Sequence, residues 1–437
     1  MIKISRIEAA SITFILIIVS AISLSVNPEE EEVRVNWLVE GNPGSFFDIA
    51  FSTCEKGPHV YVAGFDSSAE SGVLRLRIEK RLKSDGSLVK NWTYEASEYG
   101  GLLYDCVIAG DRLYGAGTAY SVNDSSWIIL ALDPDLNLLS LVNLTSIPGA
   151  AISTFCDQEF LYVAGISVNG SSEVMRVRKM RLSDLSLVKE YVSNLSDANY
   201  AYDVAVNPLS NQIWVVGNVN SEKWRVEILD MDLNLVKGVE TSIGASATSI
   251  GFDEEGYSYV AGDGGIVKLN RDGGEVKRYV QPVLFSKTLW LNNRLYVAGG
   301  EIVGEYSRQV LYVFDRELNL LNKTVISMSM NADAMFLMGK MASDGENIYA
   351  AGLAYVGYYD YEWVVYSIKV SGSPVPWYVK YWYVMLVLAA VLVSVSALLL
   401  LLMRRKRKLQ QAPREEQFPE KEEQQHEDTH PVGSAAL

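Results

Sequence analysis

The chain is poor in the residues that most often carry chemistry. It holds only three cysteines and three histidines in 437 residues, which leaves little material for a metal centre or a thiol enzyme. His426 and His430 lie in a polar C-terminal stretch with no other ligand types around them, and His59 stands in a turn beside Gly57-Pro58. No metal site and no cofactor are expected from these. There is no Gly-x-Ser-x-Gly elbow, no His-Glu-x-x-His pair and no glycine-rich phosphate loop. Surplus positive charge is missing too: 38 Lys and Arg stand against 53 Asp and Glu, a net charge of -15. A chain without spare cations cannot neutralise phosphates, which argues against nucleic acid as a partner.

What the chain has in quantity is tyrosine, 25 of them, and 49% hydrophobic residues in short runs, a composition that suits strands. One tetrapeptide recurs. Tyr61-Val62-Ala63-Gly64 is followed by Tyr114-Gly115-Ala116-Gly117, Tyr162-Val163-Ala164-Gly165, Trp214-Val215-Val216-Gly217, Tyr259-Val260-Ala261-Gly262, Tyr296-Val297-Ala298-Gly299 and Tyr349-Ala350-Ala351-Gly352. The spacing of about 48 residues is that of a repeat built as one small antiparallel sheet.

Each copy reads as four short strands. The first alternates, as in Tyr202-Asp203-Val204-Ala205-Val206, and the tetrapeptide is the second, its Ala-Gly end marking close approach of another backbone. The third alternates again, as in Leu74-Arg75-Leu76-Arg77-Ile78. It runs into an acidic turn such as Asp133-Pro134-Asp135-Leu136-Asn137-Leu138, Asp230-Met231-Asp232-Leu233-Asn234-Leu235 or Asp315-Arg316-Glu317-Leu318-Asn319-Leu320. Asp and Asn there are expected to bond their own turn and to take its left-handed position. The Asp-x-Asp spacing lacks the longer oxygen set of a calcium loop. The seventh copy has a third strand, residues 363–370, and no fourth, while residues 33–39 alternate like a fourth strand without a sheet. The expected fold is therefore all-β, a seven-bladed β-propeller closed by the N-terminal strand, plus one C-terminal transmembrane helix. Over residues 33–370 the chain resembles the bacterial and archaeal surface β-propellers built from repeats with a Tyr-Val-Ala-Gly-like second strand and an aspartate-rich hairpin. That resemblance implies the fold and no ligand.

Both ends are hydrophobic. Residues 9–26 follow Lys3 and Arg6 as a secretory signal or an uncleaved anchor, with Ala21-Ile22-Ser23 as a cleavage site. Residues 384–403 carry no charge, Trp377, Tyr378, Tyr381, Trp382 and Tyr383 crowd their N-terminal side, and Arg404-Arg405-Lys406-Arg407-Lys408 follow. By the positive-inside rule this is a single membrane span with the C-terminus cytoplasmic and the repeats extracellular, at the cell membrane. The expected organisation is 1–26 signal peptide or N-terminal anchor, 27–372 propeller ectodomain, 373–380 linker and interfacial belt, 381–403 transmembrane helix and 404–437 disordered cytoplasmic tail.

Few residues qualify for a site, and no catalytic residue is assigned. Tyr355, Tyr358, Tyr359 and Tyr361 crowd one loop of the last copy and suit a sugar or protein partner, or else pack on their neighbours. Cys54, Cys106 and Cys156 fall on the first strands of three successive copies, as buried free thiols or with one disulfide among them. Asn91, Asn123, Asn143, Asn169, Asn194 and Asn322 each head an Asn-x-Ser/Thr glycosylation triplet. These features favour a membrane-anchored, non-catalytic scaffold for an extracellular protein or polysaccharide. The alternative is a carboxylate-based hydrolase or lyase on the same scaffold, which needs two carboxylates about 5 to 9 Å apart in a channel mouth.

Overall fold

Strand after strand pairs antiparallel with its sequence neighbour, as short turns require. The computed structural model describes residues 33–44, 47–68, 71–195, 199–304, 306–329, 340–357 and 360–370, and beyond them Ser394, Val395, Leu399 and residues 401–404. After β1 (Val33–Gly41), one sheet comprises β2 (Ile49–Lys56), β3 (His59–Ser67), β4 (Leu74–Leu82) and β5 (Leu88–Tyr94). The next runs through β6 (Gly101–Ala109), β7 (Arg112–Tyr120), β8 (Ser125–Leu132), β9 (Leu138–Cys156), β10 (Phe160–Asn169), β11 (Ser172–Arg181) and β12 (Leu187–Val192). A third holds β13 (Asn199–Asn207), β14 (Gln212–Val219), β15 (Lys223–Leu229) and β16 (Leu235–Thr241). A fourth holds β17 (Ala247–Phe252), β18 (Ser258–Leu269), β19 (Glu275–Leu291), β20 (Arg294–Val303), β21 (Tyr306–Phe314) and β22 (Leu320–Ser329).

Where the sequence pattern predicts separate strands, two run straight on. Residues 138–148 of β9 pair with β8 and 149–156 with β10, and β19 likewise serves β18 and then β20, so one strand is outermost in one copy and innermost in the next. The links are too short to break the extended backbone. β18 does the reverse. Lys268 Nζ lies 5.8 Å from the Tyr259 ring, although nine residues of straight strand would part them by about 30 Å. The chain turns back on itself around Gly264, at φ +86°.

The last sheet holds β23 (Ala342–Ser343), β24 (Asn347–Gly357) and β25 (Asp360–Val370), and its fourth strand is β1, with Val33 opposite Val370 and Gly41 opposite Trp363. The first described strand of the chain thus completes the last sheet, in a propeller-like arrangement.

The recurring tetrapeptide is explained by what each of its residues touches. With side chains alternating between faces, Tyr162 and Ala164 pack toward β13 and β14, while Val163 packs toward β7 and β8. Tyr259 and Ala261 against Val260, and Tyr296 and Ala298 against Val297, divide in the same way. Among the described residues the buried apolar side chains form seven clusters, each shared by successive copies, and one joins Ala50 and Val62 to Ala351, Trp363 and Val365 across the ends of the chain. The glycine has a backbone reason. The inner strand bulges beside it, and a Cβ on Gly64, Gly117, Gly165, Gly217 or Gly262 would strike the carbonyl oxygen of Ile49, Leu102, Ala150, Tyr200 or Ser246.

The acidic turns differ from expectation in one respect. Asp230 does close its own turn, accepting from the backbone N–H of Asp232 and Asn234 and from Asn234 Nδ2, and Asp133 and Asp315 do the same. The left-handed position, however, belongs to Leu136, Leu185, Leu233 and Leu318, at φ between 53° and 60°, rather than to Asp or Asn. Each of these leucines is buried, and burial offsets the backbone strain. Gly86 and Gly273 stand at that position where Trp37 or Ile228 of the adjoining copy already fills the space.

Residues from 374 onward cluster as a separate unit. The expected signal or anchor 1–26, the linker 373–380, most of the span 381–403 and all of the tail 404–437 except Arg404 lie outside the described residues. Ser394, Val395, Leu399 and residues 401–404 are helical, and among the described residues no helix is long and apolar enough to cross a membrane.

Candidate functional site

Every innermost strand that can be followed in full carries a β-bulge, and the residue just past it forms a series that sequence inspection missed. The register shifts between Ala50 and Ser52, Leu103 and Asp105, Ala201 and Asp203, Ala247 and Ser249, and Phe285 and Lys287, while β9 skips a residue before Ser153. Lys340 falls on the same position of the last sheet, because continuing the register from Ala342 opposite Tyr349 brings it to Ala351. Around the inner wall the series reads Ser52, Asp105, Ser153, Asp203, Ser249, Lys287, Lys340.

These side chains satisfy one another. Asp105 Oδ1 accepts from Ser52 Oγ at 2.6 Å and the Cys106 N–H at 2.9 Å, while Oδ2 accepts from the Thr154 N–H at 2.7 Å and Thr154 Oγ1 at 2.8 Å. Asp203 repeats the arrangement with Ser153 Oγ at 2.7 Å, the Val204 N–H at 3.0 Å, Ser249 Oγ at 2.9 Å and the Ile250 N–H at 3.0 Å. Each carboxylate therefore binds the inner strand on either side of its own. Lys340 Nζ lies 3.4 Å from Asp105 and donates to the Thr154 carbonyl; Lys287 Nζ lies 3.9 Å from Asp203 and donates to the Thr248 carbonyl. Two anions and two cations balance in a region that excludes most water.

Burial raises the Asp203 carboxyl, but Lys287, Lys340 and the Ser153 hydroxyl outweigh it and hold it below the ordinary carboxylate range. Burial works against the charge of Lys340, and Asp105, Asp203 and Cys156 more than compensate, so it stays protonated. About a third of its side chain, 31%, still touches open space, in a cavity of about 230 Å³ lined by Thr53, Cys54, Cys106 and Met341 among others. With roughly four lone-pair sites per carboxylate, neither aspartate has acceptor capacity left for a substrate. The two carboxylates hold strands together and have no lone pair free to act as a general base.

The sequence-derived candidates are spread around the ring. Tyr355 of β24 stands opposite Tyr361 of β25 in register, and the Tyr361 ring stacks on Phe47 with centroids 5.7 Å apart and planes 24° apart. Phe47 is 37% exposed, and the Tyr361 carbonyl accepts the Asp48 N–H at 3.1 Å. Tyr361 thus packs on the neighbouring copy and still borders solvent. Tyr358 and Tyr359 lie outside the described residues. Nearby, Phe51 and Tyr104, the extra residues of two bulges, meet at 5.4 Å.

Cys54 and Cys106 come together, Sγ to Sγ at 2.8 Å. Cys156 is apart from them, its Sγ 3.5 Å from the Ile108 carbonyl, beside a groove of about 590 Å³ that also involves Arg112 and Asp157. Asn91, Asn143 and Asn322 sit on the outermost strands β5, β9 and β22; Asn123, Asn169 and Asn194 sit at or beside strand ends. All are exposed except Asn322, which is half-buried. Among the described residues no cluster of His, Cys, Asp and Glu is arranged to hold a metal.

The inner series leaves no periodic trace in the sequence because its members differ in type. The signal was available as a polar residue after an aromatic one, Phe51-Ser52, Tyr104-Asp105 and Tyr202-Asp203, inside otherwise apolar strands.

No protein-family model matches the chain, and no curated protein sequence matches it. Solved structures do match in fold. The WD40 domain of Pan2 from Neurospora crassa superposes with a TM-score of 0.52 at 12% identity, covering 79% of this chain and 98% of that one. BamB from Moraxella catarrhalis gives 0.45 at 9% identity, covering 77% and 100%, and the periplasmic gluconolactonase PpgL of Pseudomonas aeruginosa gives 0.48 at 13%, covering 72% and 97%. At 12% identity the likeness to the WD40 domain bears on the fold alone, a propeller-like arrangement, and says nothing of activity.

Proposed function

We propose that the chain is a seven-bladed propeller, anchored to the cell membrane by its C-terminal hydrophobic segment, that serves as a non-catalytic scaffold for an extracellular protein or polysaccharide. Counting β9 and β19 twice, letting β18 supply two strands and giving β1 to the last sheet supports the reading of seven blades. The supporting observation for a scaffold is the state of the inner wall: its two carboxylates are consumed in holding neighbouring strands, so recognition falls to the rims. There the stacked pair of exposed Phe47 and half-buried Tyr361, the latter opposite Tyr355 in backbone register, offers an aromatic surface with a polar tip, which suits a sugar ring or a protein side chain. The exposed asparagines of five of the six Asn-x-Ser/Thr triplets and the acidic composition fit a solvated ectodomain.

The test uses the full chain in detergent micelles against arrayed polysaccharides and, separately, surface cross-linking on intact cells. Binding that falls at least tenfold in a Phe47→Ala, Tyr361→Ala double variant of unchanged melting temperature supports the scaffold. Binding indifferent to both substitutions would remove the rim from the proposal. Hydrolysis of a lactone or glycoside by the wild-type chain, lost on substituting one carboxylate, would favour the enzyme.

A further inference from the structure

Cys54 and Cys106 belong to different strand sets, β2 and β6, which lie side by side along the inner wall. Their sulfurs, 2.8 Å apart, are well inside the distance two non-bonded sulfurs keep, and they approach with nothing between them. Cys106 is fully buried and Cys54 is 8% exposed. The nearby cavity that reaches Lys340 touches both residues and provides the one approach to them among the cavities described. Cys156 has turned to a carbonyl instead and faces a different groove. Three cysteines admit three pairings, and this geometry distinguishes them.

We propose that Cys54 and Cys106 are a disulfide-forming pair that staples the first two strand sets together, with Cys156 remaining a thiol. In the reaction both S–H bonds break and one S–S bond of about 2.05 Å forms. The two electrons and two protons pass to an external disulfide, an oxidised dithiol protein or oxidised glutathione, which leaves as two thiols. The sulfurs need to close by less than an ångström, a movement two adjacent strands can absorb. The bond would enclose some fifty residues, including the whole of β3, β4 and β5, and so removes freedom from the unfolded chain. The Cys54 thiol is pushed well above its ordinary value by burial and by the adjoining Cys106 thiol. It therefore holds little thiolate in the folded protein, and exchange, which needs thiolate, is slow there. Once made, the bond is buried with Cys106 and is approached by way of the cavity beside Lys340.

The inference rests on the extracellular reading only for its source of oxidant, and two arms separate the two. In the first, the reduced full chain in detergent is equilibrated with oxidised glutathione in sub-denaturing urea, returned to buffer, unfolded, alkylated with N-ethylmaleimide and digested with trypsin. The three cysteines fall in separate peptides, 35–56, 91–112 and 113–176. A linked 35–56 and 91–112 pair with one alkylation on 113–176 is the expected result, as is a melting temperature that drops several degrees on reduction in wild type and in Cys156→Ser but not in a Cys54→Ser, Cys106→Ser variant. Three alkylated cysteines, or any link to 113–176, overturns the pairing. The second arm repeats the mapping on chain acid-quenched directly from cells. If the first arm gives the link and the second gives three free thiols, the pairing stands and the extracellular placement falls.

Discussion

Asp203 is fully committed: four hydrogen-bond donors and a lysine surround a carboxylate that cannot be hydrated. Replacing it by alanine deprives two serine hydroxyls, two backbone N–H groups and a half-buried lysine of their partner at once, and should cost about 3 kcal/mol or more. Urea unfolding of Asp203→Ala beside wild type measures this; a loss under about 1 kcal/mol would show the inner series to be decorative. Asp48 behaves in the opposite way. Burial pushes it up to about 6, against the pull of the Gly44 and Ser67 N–H groups that it accepts and with Asp66 adding to the rise. A carboxyl whose folded value exceeds its unfolded value favours the acid form in the fold, so stability is greatest below about pH 4 and declines as pH climbs to about 6. The melting temperature of wild type relative to Asp48→Asn should therefore fall by a few degrees across that interval, and a flat difference would contradict the assignment. At this scale the sequence was least legible. Serine, aspartate and lysine at one structural position share no residue type, and it is the backbone register across the inner strands that aligns them.

Elements were more legible because each repeats its physics. The tetrapeptide glycine was read as a place of close backbone approach, and the carbonyl of the bulged inner strand is what approaches. Gly217→Ala should accordingly cost about 2 kcal/mol through overpacking against the Tyr200 carbonyl, whereas Gly300→Ala, with nothing near its prospective Cβ, should be neutral. Thermal melts of the two variants decide it. The same reasoning covers Gly86, where a leucine like those at Leu136 and Leu233 would collide with Trp37 and Val39 of β1; Gly86→Leu should melt lower than wild type by more than Gly86→Asn does. The turn leucines were the part that sequence propensity misjudged. A left-handed residue is normally glycine or asparagine, and leucine takes that position here because a groove in the adjoining copy receives its side chain, a fact no local rule contains.

For the molecule as a whole, closure carries the stability. The Trp37 indole N–H donates to the Lys83 carbonyl at 2.8 Å, so β1 both completes the last sheet and grips the turn between β4 and β5 of the next. A chain beginning after Gly41 would leave β25 as an exposed edge flanked by apolar side chains, and such edges recruit other chains. This truncation should elute as aggregates on size exclusion and lose its cooperative melt; a monomeric, cooperatively melting fragment would mean the ring holds without its clasp. The incomplete seventh copy and the orphan first strand made this closure readable from the sequence, since each supplied what the other lacked.

That clasp has a mechanical side. Because β1 and β25 run antiparallel, Val33 and Val370 lie abreast, and the two polypeptide leads depart from one spot on the ring. A tug between those leads would peel the pair apart bond by bond, like opening a zip, instead of shearing all its hydrogen bonds together. Many shared interfaces hold the sheets to one another, whereas traction acts on a single one, so a load pulled across its termini would open the ring at low force and leave the remaining sheets standing.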